Sequence, residues 1–223
     1  MQMPLRLAGS CLRQAARSVL EWGQAWDIEV EETEDRARSR KVAKSADVPP
    51  TADLVRLARG LESDTKLDQF RTVLDDLTAQ GKQAIVFTFS RKTLHYLEQR
   101  IGRAYRVGVL HGGVARRERD AVMAAFRHRD FDFLLATKVA SEGLDFEFCS
   151  AVVNYDLPWN PMEIEQRIGR IDRIGQVEKK LVVWNFHTPG TIEELIRERV
   201  HERIKVFERS IGELEPILDY EWR

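Results

Sequence analysis

Residues 84–113 read AIVFTFSRKTLHYLEQRIGRAYRVGVLHGG. The stretch opens on an apolar run of strand length, Ala84–Phe89, passes through a helix over Thr93–Ile101, and returns to a second strand, Arg106–Leu110. Apolar runs of this length, separated by helices, mark an α/β domain whose parallel sheet is covered on both faces. The pattern continues downstream, with strands expected at Phe131–Thr137, Ala151–Tyr155 and Leu181–Phe186. Helices are expected at Arg116–Phe126 and Met162–Ile174, the latter capped by Asn160 with Pro161 in its first turn, and from Ile192 to about Ile211. Ligands of such sheets sit beyond the carboxyl ends of the strands, so the loops after Phe89, Leu110, Thr137 and Tyr155 are where chemistry is sought.

Upstream of this block the chain reads as helical. Thr65 is placed to cap a helix carrying Leu67, Phe70, Leu74 and Leu77, and Gly81 to end it. Thr51 is placed to cap a shorter helix with Leu54, Leu57, Ala58 and Leu61 on one side. Before it, acidic residues from Glu29 to Asp35 give way to Arg36, Arg38, Arg40, Lys41 and Lys44, and Val48-Pro49-Pro50 closes the segment. The expected organisation is a helical segment and linker over 1–62, an α/β lobe over 63–190, and a C-terminal helical extension over 191–223.

Composition narrows the function class. A chain of 223 residues, 43% hydrophobic and 32% charged, is long enough for a buried core and too apolar for wholesale disorder. Membrane spans need about 20 apolar residues and none is present, while the first residues lack the apolar run of a signal peptide, so a cytoplasmic location is expected. Cys11 and Cys149 stand far apart, with neither zinc-ligand nor disulfide-framework spacing. The net charge of −1 does not announce a nucleic-acid binder, yet Arg100, Arg103, Arg106, Arg116, Arg117 and Arg119 cluster against the single acid Glu118.

The loops at the expected strand ends carry candidate ligands. Thr88, Ser90 and Arg91 lie at a strand-to-helix turn, where free amides favour an anion; an ordinary serine cap explains Ser90 equally well. His111-Gly112-Gly113 lets backbone approach a ligand or merely turn. Thr137 and Lys138 suit a phosphate backbone, Gly143 opens space for a nucleotide, and Asp145 can accept from a ribose hydroxyl. Trp159 can stack on a base or pack beneath its loop. In QRIGRIDRIGQ (166–176), helical spacing would place Gln166, Arg170 and Arg173 on one stripe and Ile164, Ile168 and Ile171 on another. Two planar guanidinium forks in a cleft can stabilise charge developing during phosphoryl transfer; solvated arginines paired with Glu163 and Glu165 are the alternative.

The order of these pieces carries a resemblance. VFTFSRKT (86–93), VLHGGVARRERDAVMAAF (109–126), LLATKVASEGLDF (134–146), NYDLPWNP (154–161) and QRIGRIDRIGQ (166–176) together resemble the second RecA-like lobe of superfamily-two helicases. Within these the chain is similar to the Swi/Snf family of DNA-dependent ATPases, especially its bacterial RapA-like branch, from about Ser63 to Ile211. The resemblance implies ATP bound between two lobes, with Mg2+ held by the first. Arg170 and Arg173 would act as arginine fingers, Gln166 would help orient the site, and Gly143 and Asp145 would border the nucleotide. Thr88, Ser90, Arg91, His111, Gly112, Thr137 and Lys138 would face double-stranded DNA, with Trp159 alongside. Implied partners are the N-terminal RecA-like lobe of the same protein, the DNA, and a DNA-bound protein such as RNA polymerase; no membrane is involved.

Departures from the family pattern are Asp145 where many relatives carry Asn, Glu142 in a usually glycine-rich turn, and Asp172 where eukaryotic members often have His. Neither G-x-x-x-x-G-K-[ST] nor D-E-x-H occurs in the chain, so it reads as half an engine, inactive without a first lobe. A non-catalytic interaction module with vestigial fingers is the rival from another class. A stand-alone nucleotide-binding enzyme is a further rival, one that lacks a phosphate-binding glycine loop.

Overall fold

The computed structural model describes residues 9–21, 51–137, 143–158, 160, 162–176, 178, 180–191, 193–198 and 218–222. Their elements run α1 (Leu12–Leu20), α2 (Ala52–Arg59), α3 (Thr65–Ala79), β1 (Ala84–Thr88), α4 (Arg91–Ile101), β2 (Val107–Leu110), α5 (Arg116–Arg127), β3 (Phe133–Thr137), β4 (Ala151–Asn154), α6 (Met162–Ile168), β5 (Leu181–Asn185) and β6 (Leu218–Trp222). The strands form one parallel sheet in the order β2-β3-β1-β4-β5-β6.

Alternation along each strand sends side chains to two cores. Ala84, Val86, Phe133, Leu135, Ala151 and Val153 join Phe70 and Leu74 of α3 and Leu94 and Leu97 of α4 on one face. Ile85, Phe87, Leu134, Ala136 and Val152 join Phe126 of α5, Phe146 and Ile171 on the other. Burial on both faces is why these strands read as continuous apolar runs rather than as alternating ones. The register levels the strand ends: Thr88 lies opposite Thr137, and Asn154 opposite both Phe87 and Asn185. From the neighbours β1 and β4, the connections through α4 and α6 leave towards opposite edges of the sheet, which opens a crevice at their carboxyl ends.

Three local expectations are corrected. α3 is capped by Asp64, whose Oδ1 accepts from the Leu67 amide at 3.0 Å, rather than by Thr65, which is its first helical residue. The helix expected over 162–174 ends at Ile168. Past Gly169 two bonds tighten to i→i+3, from Arg170 N to the Arg167 carbonyl at 3.2 Å and from Ile171 N to that of Ile168 at 2.9 Å, and the Arg170 carbonyl turns away to accept from Phe146 N at 2.8 Å. Arg170 and Arg173 therefore stand in a succession of turns and share no helical stripe with Gln166. Finally, the C-terminal extension expected to be helical contributes strand β6 at the sheet edge. Of the terminal helix only 193–198 is described, and it is helical.

Other expectations hold. Thr51 caps α2 through Leu54 N at 3.3 Å, and Asn160 Oδ1 accepts from Met162 N at 3.2 Å at the start of α6. Gly81, at φ +65°, closes α3 with its own amide on the Thr78 carbonyl and that of Lys82 on Leu77.

Candidate functional site

Two separate arrangements occupy the strand-end surface. The first is the turn 169–175, fastened to the loop that follows β3. Ile171 is fully buried, and Gln176 Nε2 donates to the carbonyls of Cys149 and Ile171, each at 2.9 Å. Arg173 Nη1 donates to Asp145 Oδ2 at 2.8 Å while its Nε donates to the Gly169 carbonyl at 3.2 Å. Arg170 is half-buried, and its guanidinium has no side-chain partner among the described residues. Gln166 is exposed on α6. Gly143 has φ +76°, which disfavours any residue with a Cβ, and a Cβ placed there meets nothing within 4 Å among the described residues. The structure thus gathers Arg173, Asp145, Arg170 and Gly143 around one turn and one loop.

The second arrangement seals the crevice between β1 and β4. Asp156, 1% exposed, accepts through Oδ2 from the Thr88 hydroxyl and from Phe89 N at 3.1 Å. Lys66 Nζ stands between two carboxylates, 2.9 Å from Glu193 and 3.8 Å from Asp156, and also donates to the Gly9 carbonyl at 3.0 Å. Burial pushes the Glu193 carboxyl above its usual range, against the opposing pull of Lys66. From α6, Arg167 is 6% exposed; it donates to Asn154 Oδ1 at 2.6 Å and the Asp156 carbonyl at 3.3 Å, and its guanidinium lies 4.7 Å from the Phe87 ring centre. Asn154 passes the chain on to Asn185 at 2.8 Å.

Candidate phosphate-facing residues divide accordingly. Thr88 and Thr137 are wholly buried, so their side chains support the strand ends from beneath. Ser90, 8% exposed, caps α4 through Lys92 N at 3.2 Å. Arg91, His111 and Gly112 reach the surface. His111 Nδ1 accepts from Gly113 N at 3.1 Å, which leaves Nε2 to carry the proton of the neutral ring, and the ring meets that of His95 edge-on, with centres 5.5 Å apart. A Cβ at Gly113 would lie 2.9 Å from Arg91 Nη2 and 3.2 Å from the His111 ring, so a larger residue here would displace the Arg91 side chain. Lys138 and Trp159 lie outside the described residues.

Sequence reasoning passed over Arg167, Lys66, Glu193 and Gln176. For Arg167 a signal exists: it falls three residues after Ile164 and four before Ile171, on the inward face of the motif. For Lys66 and Glu193, 127 positions apart, there is none.

Comparison with known proteins matches residues 65–175 to the helicase conserved C-terminal domain family. The ATP-dependent helicase YqhH of Bacillus subtilis is 40% identical over 147 residues, 66% of this chain and 26% of YqhH. The RNA polymerase-associated protein RapA of Pectobacterium atrosepticum is 36% identical over 137 residues, 60% of this chain and 14% of RapA. The chain therefore spans only a minor part of either relative. The crystal structure of the C-terminal part of the Fun30 ATPase domain superposes with a TM-score of 0.55 at 21% identity, over 60% of this chain and 44% of that one, a likeness of fold.

Proposed function

Since residues 65–175 belong to the helicase conserved C-terminal domain family, we propose that the chain is the second lobe of a Swi/Snf-type, DNA-dependent ATPase and closes over ATP held by a first lobe. The observation that carries this reading is the anchored turn 169–175, which offers Arg170 without a partner among the described residues and Arg173 on a fixed support. Their guanidinium groups would meet the γ-phosphate and stabilise the charge that develops on it during transfer. Gly143 would border the nucleotide, and Gln166 would help orient the site from α6. The described residues include no group of three or more His, Cys, Asp or Glu placed to hold a metal.

Arg91, His111 and Gly112 would line the DNA track together with the amides at the start of α4, meeting phosphates rather than base edges. RapA is by its name associated with RNA polymerase, and a polymerase-bound role is the partner reading this chain inherits. The isolated chain would hydrolyse little or no ATP.

The test combines the chain with a separately expressed first lobe and measures ATP hydrolysis with and without duplex DNA. Arg170→Ala and Arg173→Ala are each expected to lower turnover by about a thousandfold or more, the usual effect of losing an arginine finger. Unchanged turnover in both would leave the chain a non-catalytic interaction module whose half-exposed Arg173–Asp145 pair is ordinary surface chemistry.

A further inference from the structure

We infer that Asp145 is a positioning residue for Arg173, holding the guanidinium at Nη1 so that Nη2 is left to meet phosphate; the inference rests on the finger reading above. The geometry is specific. Arg173 is held at Nη1 by Asp145 Oδ2 and at Nε by the Gly169 carbonyl, and its Nη2 edge carries no bond among the described residues. A planar fork tethered at two of its three nitrogens keeps only the rotation that its supports allow.

The grip is itself anchored. Asp145 precedes Phe146, whose ring is wholly buried and whose amide donates to the Arg170 carbonyl at 2.8 Å, so the carboxylate and both arginines hang from one fastened backbone. Glu147, a neighbouring carboxylate, is engaged by Arg127 at 2.8 Å. Among the described residues, Asp145 is the ionic partner of Arg173. The two side chains are 44% and 46% exposed, and pairs so open to solvent contribute little to fold stability. What the pair supplies is orientation. A long arginine left free would have to be ordered at the moment of reaction, and ordering it beforehand removes that entropy from the barrier. This role differs from a ribose contact, which would act on nucleotide binding.

The test uses a two-lobe protein, with a first lobe joined ahead of this chain, and compares Arg173→Ala, Asp145→Ala, the double variant and Asp145→Asn at saturating duplex DNA. Asp145→Ala is expected to lower kcat by about ten- to a hundredfold, the scale of a misplaced catalytic group, with KM for ATP nearly unchanged. Asp145→Asn, whose amide oxygen accepts the same bond, recovers most of that loss. The double variant falls no further than Arg173→Ala alone, because the aspartate acts through the arginine. If the double variant loses the product of the two single effects, or if KM rises with kcat intact, Asp145 serves the nucleotide and the positioning role is overturned. A silent Arg173→Ala overturns this inference alone; the finger reading falls with it only if Arg170→Ala is silent as well. Should turnover be low throughout, affinity for ADP–aluminium fluoride relative to ADP gives the same answer: Asp145→Ala must weaken the fluoride complex selectively, and equal weakening of both refutes positioning.

Discussion

Arg167 of α6 donates to Asn154 Oδ1 at 2.6 Å, so a charged residue inside the arginine-rich motif is a core element that ties a helix to the end of a central strand. Removing it strands a buried acceptor. Arg167→Met is expected to cost about 1–3 kcal/mol for the unsatisfied Asn154 oxygen, measured as a lower urea midpoint. Arg167→Lys should restore only part of it, since an ammonium lacks the planar fork that also covers Phe87. A midpoint unchanged in Arg167→Met would refute the structural role.

Lys66 is the only cation within ion-pairing distance of Glu193 among the described residues. Lys66→Met should destabilise by about 3–5 kcal/mol at neutral pH, because it leaves buried carboxylates unpaired. The Glu193 carboxyl is already raised above its usual value, and losing Lys66 raises it further. A raised folded-state pKa gives stability that is full below the unfolded value and lost as pH rises. The deficit of Lys66→Met against the parent should therefore shrink as the pH is lowered from neutral towards the ordinary carboxyl value of 4.5 in paired denaturation curves. A deficit independent of pH would mean that Glu193 is not the group left exposed to the change.

Gly108 sits in β2 where an added Cβ would lie 2.3 Å from the Phe131 ring. Gly108→Ala should cost about 1–3 kcal/mol through overpacking. Phe131→Leu, placed on top of it, should recover part of the loss, and a thermal melt of the double variant decides. Strict additivity of the two single costs would count against the clash.

Burial pushes the Cys149 thiol from its ordinary 9.0 up to about 12, and Cys11 by the same amount. The native state keeps protons that the unfolded chain releases, so this contribution is complete below pH 9 and is lost as pH rises towards 12. About 1 kcal/mol per thiol is expected to disappear by pH 10. Denaturant midpoints at pH 8 and 10 test it, and the native thiols should resist alkylation at both. Equal midpoints, or rapid labelling of the folded protein, would contradict the burial.

Much of this was legible in the primary structure, for identifiable reasons. The strand runs Ala84–Thr88 and Phe133–Thr137 are apolar because both faces of the sheet are covered, so composition alone located them. The end of α6 was not legible, because Ile164, Ile168 and Ile171 keep helical spacing across Gly169 although the chain has already left the helix. Past Gly169 the Arg170 carbonyl, which a continued helix would offer to residue 174, accepts instead from the distant Phe146 amide, a bond that no local pattern encodes. Thr88 and Thr137 read as ligands because hydroxyls at strand ends often are; the register placed both inside.

Spacing along the chain was enough for the α/β layering, the loops that carry polar residues, and the motif order that matches the helicase conserved C-terminal domain family. Only the tertiary structure decided which arginine is buried and which is presented. Arg167 turns into the core while Arg170 and Arg173 do not, and Arg173 meets Asp145 from 28 positions away. That choice depends on long-range hydrogen bonds and on the desolvation of particular charges, quantities fixed when distant segments come together and invisible before they do.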